Sequence, residues 1–285
     1  MSILSYQEKH DKYEKIFSPE KYMGFWNALT LDKEKSDLEV SSGQRTMRFS
    51  IRSINDFISL ICRRRQNIKF HDLGCGPSVV NMLSAAAFPQ ITSVEGSDFL
   101  SSNLDYLKIS INSEGKQGYN YTKIIEFINS MNEQRGHLNL NNYFIPLKDK
   151  CLPENFVKYD MSLEDIFCGR KMQWGTYDVV VSTMFLTDAV PSKGHYRNVL
   201  RTVNRMLKLG GTFCLLDFLN QSFWTPCIKG MQKLSAVPIN LQFLEKSLPA
   251  TGFEIEEMRV IHHEENKFCN GDKVACVRAT KAKDL

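Results

Sequence analysis

Residues 71–77, with the sequence His71-Asp72-Leu73-Gly74-Cys75-Gly76-Pro77, decide the fold class of this chain. A short apolar run, 68–70, precedes them, and a helical pattern, 78–87, follows. This order predicts a strand, a tight glycine turn and a helix. Two glycines let the backbone turn sharply and approach a ligand closely, and a proline suits the first helical position because its missing N–H has no helical partner there. The stretch therefore predicts a nucleoside-cofactor site.

The spacing of the glycines bears on the kind of cofactor. A dinucleotide fingerprint has a third glycine three residues after the second, and Val79 occupies that position here. A nicotinamide-dinucleotide oxidoreductase is therefore disfavoured. A single Gly-x-Gly pair with an upstream acid, Asp72, instead resembles the S-adenosylmethionine loop of Rossmann-like methyltransferases.

Composition excludes several classes of protein. The 285 residues are 42% hydrophobic, which is enough for a full core, and the net charge is only +4. The one dense basic run, 63–65, is too small for a nucleic-acid surface. Neither an apolar run of about 18 residues nor a signal-peptide core is present. The eight cysteines form no C-x-x-C pair. We therefore expect a cytoplasmic protein without a metal, nucleic-acid or membrane partner. A monomer is expected as well, although no feature of the sequence indicates the oligomeric state.

Hydrophobic periodicity predicts a helical N-terminal cap over residues 1–66 and a cofactor-binding domain over residues 67–285. Strand candidates are 68–73, 90–95, 155–160, 177–182, 212–217, 254–262 and 273–280. Helix candidates between them are 78–87, 99–112, 192–208 and 240–249. This alternation predicts an α/β fold with a mostly parallel seven-stranded sheet. The last two strands have no helix between them and are expected to close an antiparallel hairpin, as in class I methyltransferases. Residues 121–131 are predicted to form a further helix, and 139–142 a surface excursion.

Two acids compete for a cofactor ribose after the second strand. Glu95 lies closer to the predicted strand end, whereas Asp98 opens the next helix, with Asn103 one turn further on. The third strand ends near Asp160 and Met161, which could accept from an adenine amino group and cover its ring. The fourth strand leads into Thr183 and Asp188. The fifth leads from Asp217 into a cluster of aromatic residues, which suits a cationic amine because ring faces attract cations.

These motifs together resemble the small-molecule N-methyltransferase family of nicotinamide, phenylethanolamine and indolethylamine N-methyltransferases, over nearly the whole chain. The resemblance rests on Tyr13-x-x-x-Phe17-x-Pro19-x-x-Tyr22, the glycine loop with Met82-Leu83-Ser84-Ala85 downstream, Asp98-Phe99-Leu100-x-x-Asn103, Ser182-Thr183-x-x-Leu186, Leu207-Lys208-x-Gly210-Gly211 and Asp217-x-Leu219. Within this pattern Asp98 is favoured over Glu95 as the ribose acid.

The resemblance implies an S-adenosylmethionine-dependent enzyme that methylates the nitrogen of a small acceptor and releases S-adenosylhomocysteine. The implied cofactor residues are Tyr13, Tyr22, Gly74, Cys75, Gly76, Asp98, Phe99, Asn103, Asp160, Met161 and Thr183. The implied acceptor residues are Tyr22, Asp217, Trp224 and Ser235, with Asp217 and Asp188 as catalytic acids. Several of these positions depart from the family pattern: Cys75 stands for a serine, Asp188 is shifted by one residue, and Ser235-Ala236 replaces a small pair near the acceptor. An alternative is a catalytically inactive homologue that binds the cofactor in a regulatory role.

Overall fold

The structure is a computed structural model that describes residues 6–28, 36–37, 40–131, 139–160, 174–225, 233–266 and 268–285. The chain folds as two compact units. The glycine-loop unit is Pro19–Val157, and the hairpin unit combines Met1–Ser18 with Lys158–Leu285. Among the described residues, no helix is both long enough and apolar enough to cross a membrane.

The glycine-loop unit contains most of the N-terminal helices and the first strands. Its helices are α2 (Pro19–Ala28), α3 (Ser42–Cys62), α4 (Val80–Ala86), α5 (Ser101–Asn112), α6 (Thr122–Met131) and α7 (Leu140–Lys150). Its strands are β1 (Ile68–Leu73), β2 (Ile91–Asp98) and β3 (Phe156–Lys158), which ends at the unit boundary. The strand order is β3-β2-β1, and β1 pairs with β2 in parallel.

The hairpin unit begins with α1 (Tyr6–Ile16) and continues after β3. Its remaining helices are α8 (Leu186–Ala189), α9 (Lys193–Met206) and α10 (Leu241–Ala250). Its strands are β4 (Tyr177–Thr183), β5 (Leu207–Leu219), the short pair β6 (Phe223–Trp224) and β7 (Leu234–Ser235), then β8 (Phe253–His262) and β9 (Lys273–Lys281). The order is β4-β5-β9-β8, with β4 parallel to β5 and both contacts of β9 antiparallel.

These strands confirm the predicted fold class. The structure has a seven-stranded, mostly parallel sheet that ends in the predicted C-terminal antiparallel pair. The hydrophobic pattern predicted these elements because apolar residues recur about every two residues in a half-buried strand and about every 3.6 residues in an amphipathic helix. α2 begins at Pro19, directly after Ser18, and a proline suits the first position of a helix.

Several local predictions are wrong. Pro77 precedes α4, which begins at Val80, and Asp98 ends β2 instead of opening α5. Asn139 caps the N-terminus of α7 and does not begin a surface excursion. Its side chain accepts from the Asn142 backbone N–H, and the Asn142 side chain accepts from the Asn139 backbone N–H. The ninth helix ends at Met206, and β5 begins at Leu207, where the sequence predicts a helix reaching 208. Gly210 and Gly211 therefore lie in a bulged strand; a Cβ on Gly211 would meet the Lys208 carbonyl oxygen at 2.8 Å.

Candidate active site

The glycine loop follows β1 and is bonded to the end of β2. The backbone N–H groups of Gly74 and Cys75 both donate to the carbonyl oxygen of Ser97, at 2.8 and 3.0 Å. Gly74 has φ 72° and Gly76 has φ 58°, a left-handed conformation that glycine adopts without a Cβ clash. A Cβ built on Gly76 would meet no atom within 4 Å. The backbone of the loop is therefore open to close approach by a ligand.

Asp98 holds this loop in place. Its Oδ2 accepts from the Gly76 N–H at 2.9 Å, and its Oδ1 accepts from the Leu100 N–H and the Asn103 amide, both at 2.9 Å. The side chain is buried, and burial raises the pKa of the carboxyl while these donors oppose the shift. Asn103 is therefore a hydrogen-bond donor to Asp98. Phe99, the residue after Asp98 in the chain, is half-buried.

The position of Asp98 in the sheet favours it over Glu95 as the ribose acid. Asp98 is the last residue of β2, whereas Glu95 lies three residues earlier, opposite His71 of β1. Three residues of strand span roughly 10 Å. Ligands of open α/β sheets bind at the carboxyl ends of the strands, so only Asp98 stands at the expected edge.

Asp72 provides the clearest test of whether the loop suits S-adenosylmethionine. Its carboxylate is buried; Oδ1 accepts from the Asn81 amide at 3.3 Å, and no described residue donates to Oδ2. Burial, reinforced by the nearby Asp98 charge, raises the pKa of Asp72 to about 7. A buried acid with an open oxygen fits a cationic ligand, and S-adenosylmethionine carries both a sulfonium and an ammonium group. The loop and Asp72 therefore fit that cofactor.

Cys75 contributes its backbone to the loop, and its thiol is unsuited to nucleophilic chemistry. Burial, together with the charges of Asp98 and Asp72, raises the pKa of the thiol well above its usual value. The nucleophilic form of cysteine is the thiolate. The raised pKa disfavours a covalent role for Cys75.

In the hairpin unit, several predicted cofactor residues lie near strand ends. Tyr159 is buried and packs edge-on against Phe185 at 5.5 Å between ring centroids, with Asp160 half-buried beside it in the chain. Thr183 ends β4 half-buried. The next residue, Met184, has φ 53°, an uncommon conformation for a side chain other than glycine or asparagine, and is held by a bond from its N–H to the Leu216 carbonyl oxygen at 2.7 Å. Met161 lies outside the described residues.

Asp217 lies in a buried network rather than at an open surface. Its Oδ1 accepts from the Thr187 hydroxyl at 3.1 Å and its Oδ2 from the Tyr196 hydroxyl at 2.9 Å. Burial raises the pKa of Asp217 to about 7, and these bonds oppose the shift. The arrangement favours a role for Asp217 in positioning the segment after β4; its direct contact with an acceptor stays a prediction.

No pattern in the sequence indicated Tyr196 as a partner of Asp217. Tyr196 shares the buried face of α9 with Val199, Leu200 and Val203, a spacing that indicates only core packing. Gln221 was also missed. Its Nε2 donates to Asp188 Oδ1 at 3.2 Å, and its side chain is buried, whereas Asp188 is half-buried. Gln221 lies in a run of polar residues after β5, and nothing in the sequence distinguishes it from its neighbours.

The β6–β7 pair separates two predicted acceptor residues. Phe223 pairs with Ser235, and Trp224 pairs with Leu234. Because cross-strand partners share a face and successive residues alternate, Trp224 and Ser235 lie on opposite faces of the pair. Trp224 contacts the Tyr13 ring of α1 at 6.0 Å between centroids, whereas Ser235 is exposed.

The structure therefore brings together Tyr13 and Trp224 but not Trp224 and Ser235. Tyr22 lies half-buried on α2 of the glycine-loop unit.

Within the described ranges, no group of three or more His, Cys, Asp or Glu residues has the arrangement of a metal site.

A model of the NNMT/PNMT/TEMT family matches residues 5–282. The chain belongs to this family. It is accordingly an S-adenosylmethionine-dependent methyltransferase, as the glycine loop and the terminal hairpin predict.

Two relatives have names that fall within this family, and two solved structures share the fold. Human nicotinamide N-methyltransferase is 26% identical over 196 residues, which cover 67% of each chain, and the pig enzyme is 23% identical over 199 residues. The fold is similar to magnesium protoporphyrin IX methyltransferase from Synechocystis PCC 6803, with TM-score 0.53, 12% identity and coverage of 97% of this chain and 99% of that one. It is also similar to a methyltransferase from Methanosarcina mazei, with TM-score 0.52, 17% identity and coverage of 76% and 93%.

Asp98→Ala should weaken S-adenosylhomocysteine binding far more than Glu95→Ala does. The first change removes a carboxylate at the strand end and the acceptor that holds the Gly76 N–H. Losing a hydrogen bond to a charged group costs about 1.5–3 kcal/mol, or roughly a tenfold to hundredfold loss of affinity. Calorimetric titration of both variants gives the ranking, and a larger loss for Glu95→Ala would move the ribose contact to that residue.

Asp72→Asn should stabilise the protein increasingly as pH rises from about 4 to about 7. The folded-state pKa of Asp72 is raised to about 7 from 3.8, so the unfolded chain releases this proton first and the wild type loses stability across that window. The amide variant does not titrate there. The difference in unfolding free energy should grow by at most about 4 kcal/mol and then level off.

Urea unfolding at intervals from pH 4 to pH 8 measures this difference. Asp105→Asn is the matched control because the Asp105 side chain is 69% exposed and ion-paired only at the surface of α5. A difference for Asp72→Asn that stays constant with pH would show that its carboxyl is not buried as described.

Proposed function

We propose that the protein transfers a methyl group to the nitrogen of a small acceptor, either a pyridine such as nicotinamide or an arylalkylamine. The observation that carries the proposal is the pairing of Tyr13 and Trp224 rings in the unit where Asp188 and Gln221 follow the carboxyl ends of β4 and β5. Aromatic faces suit a flat or cationic acceptor, and a half-buried carboxylate suits its nitrogen. The names of the human and pig relatives support the same chemistry.

The cofactor residues follow from the loop geometry. We assign the backbone of Gly74, Cys75 and Gly76 to the cofactor, Asp98 to its ribose and Asp72 to its positive charge. S-adenosylmethionine supplies an electrophilic methyl group when bound. The remaining predicted contacts are kept as part of the proposal: Tyr13, Tyr22, Phe99, Asn103, Asp160, Met161 and Thr183.

The acceptor residues act mainly by alignment. Holding the nucleophile in position can lower the activation barrier of methyl transfer by roughly 7–11 kcal/mol. Trp224 and Tyr13 would hold the acceptor ring. A pyridine nitrogen needs no deprotonation, whereas an aliphatic amine arrives as an ammonium and needs a proton acceptor, a role that Asp188 can fill. Asp217 keeps the Thr187–Asp188 segment in place.

A methyl-transfer screen tests the proposal. The purified protein is incubated with S-adenosylmethionine carrying a labelled methyl group and with pyridines, phenylethylamines, indolethylamines and thioethers in separate reactions. We expect labelled product from at least one nitrogen acceptor, with the label on nitrogen by mass spectrometry. Product from thioethers alone would contradict the proposal. Cofactor binding without any product would instead support the inactive-homologue alternative.

Asp217→Asn should lower turnover by roughly 100-fold, the scale of lost acid–base or positioning help, while changing S-adenosylhomocysteine affinity little. The substitution keeps the shape of the side chain and removes its charge. The loss should be larger with an aliphatic amine, which needs the proton acceptor Asp188 that Asp217 keeps in place, than with a neutral pyridine.

Tyr196→Phe is the companion variant, since it removes one donor to Asp217 and leaves the carboxylate. A positioning role predicts that both variants reduce turnover together with the melting temperature. Wild-type rates for Asp217→Asn with every acceptor would remove Asp217 from the mechanism and leave Asp188 as the candidate acid.

A further inference from the structure

Basic side chains recur at every fourth residue along α9. Lys193, Arg197, Arg201 and Arg205 follow one another at this spacing, and the helix contains neither Asp nor Glu. Residues four apart are neighbours on the surface of a helix, so the four side chains form a continuous stripe, which we call the basic ridge. Arg197 is half-buried and the other three are exposed. The ridge is therefore accessible along the whole helix.

The stability of α9 does not explain the basic ridge. Within the described part of the chain, no carboxylate forms an ion pair with a ridge side chain. On two other helices the bases are paired, Lys108 with Asp105 and Lys123 with Glu126. Like charges four residues apart destabilise a helix, and a base in the first turn, here Lys193, opposes the helix dipole. The spacing therefore indicates a contact with something outside the helix.

Aromatic rings hold several ridge side chains in place. The ammonium of Lys193 and the guanidinium of Arg197 lie 5.6 and 4.7 Å from the centroid of the Phe243 ring. The guanidinium of Arg205 lies 4.1 Å from that of Trp174. A ring face attracts a cation but carries no net charge, so these contacts order the side chains and leave their positive charge uncancelled. The ridge thus presents ordered cations to an anionic surface.

The carboxylates next to the C-terminal end of α9 are already paired with other bases. Asp178 contacts Lys208, which follows the helix, at 2.8 Å. Asp284 lies beside Arg205 in a shared cavity and contacts Lys281 at 2.7 Å. These two pairs balance their own charges, so they leave the charge of the ridge unchanged.

Exposed apolar side chains lie at the Arg205 end of the ridge. Trp174, Leu209 and Leu285 are 43, 66 and 52% exposed. Trp174 and Leu285 line one cavity together with Arg205. Leu209 follows Arg205 by four residues, near the start of β5. Tryptophan and leucine enter the interfacial region of a bilayer, where neighbouring basic residues contact anionic headgroups. This combination therefore favours a lipid surface over a purely polar partner.

We propose that the basic ridge, with Trp174, Leu209 and Leu285 beside it, binds the surface of a membrane that contains anionic phospholipids. Clusters of about four to eight basic residues on an amphipathic helix are typical of such surfaces. The sequence alone predicted no membrane partner because it lacks a spanning segment, and a peripheral contact of this kind requires none. The contact does not depend on the proposed methyl transfer, since Asp188 and Gln221 follow the opposite, carboxyl ends of β4 and β5.

Sedimentation of the wild-type protein with phospholipid vesicles tests the proposal. One set of vesicles is phosphatidylcholine alone, and the other contains about 30% phosphatidylserine, an anionic lipid of the cytoplasmic leaflet. The protein should sediment with the anionic vesicles at about 0.1 M salt and be released at about 1 M salt, where charges are screened within a few ångströms. Equal binding to both sets, or binding to neither, would overturn the proposal.

A ridge variant and a matched control locate the contact. The ridge variant carries Lys193→Gln, Arg201→Gln and Arg205→Gln. Its partition onto anionic vesicles should fall roughly 100-fold, because each basic residue near such a surface contributes about fivefold. The control removes the same charge from three ion-paired lysines of α5, α6 and α7, by Lys108→Gln, Lys123→Gln and Lys148→Gln.

The control should partition like the wild type. An equal loss in the ridge variant and the control would show that net charge alone drives binding and would overturn the assignment to α9. Both variants should keep the wild-type melting temperature and S-adenosylhomocysteine affinity, because the replaced side chains lie on the surface. The lipid and salt comparisons use the wild type, so they stand even if the ridge variant does not fold.

Tryptophan fluorescence tests the apolar part of the contact. Anionic vesicles should shift the emission of the wild type to shorter wavelength as Trp174 leaves water, and Trp174→Phe should abolish the shift. The same shift in that variant would show that another tryptophan enters the bilayer and would overturn this orientation. Binding of single-stranded RNA by the wild type but not by the ridge variant, without binding to anionic vesicles, would assign the ridge to nucleic acid instead.

Discussion

The Asp98 carboxylate joins the loop after β1 to the start of the helix after β2, and the conformation of the proposed cofactor loop depends on it. One side chain accepts from the Gly76 N–H, from the Leu100 N–H and from the Asn103 amide. Burying a charge is expensive unless donors surround it, and here three do. Gly76, which donates one of these bonds, has a left-handed backbone, and no protein atom lies within 4 Å of the place where a Cβ would stand.

Two other buried carboxyl groups have similar pKa values but different hydrogen-bond partners. Burial raises the pKa of both Asp72 and Asp217 to about 7. The hydroxyls of Thr187 and Tyr196 occupy both oxygens of Asp217, so this acid organises the protein around it. Asp72 keeps one oxygen without a donor among the described residues, so it is the acid suited to a cationic ligand. Hydrogen-bond partners, rather than pKa, distinguish the two roles.

Local patterns in the sequence predicted the glycine loop, the alternation of strands and helices and the terminal hairpin. Each depends on residues close together in the chain, such as the glycines at 74 and 76 or the helical spacing within α9. The bulge at Gly210 and Gly211 and the cap at Asn139 were missed, because the former depends on pairing with β4 and the latter on a reciprocal side-chain bond. Gln221 and Tyr196 were missed because their partners, Asp188 and Asp217, are 33 and 21 residues away.

Titration of S-adenosylhomocysteine into the wild type and Gly76→Ala tests most directly whether the loop held by Asp98 is the cofactor site. The added methyl group enters space in which no protein atom lies within 4 Å, and the left-handed φ costs an alanine only about 1–2 kcal/mol of stability. The account predicts that the variant stays folded and loses at least about tenfold in affinity, because the methyl group occupies space that the cofactor needs. Equal affinity for a folded variant would contradict it.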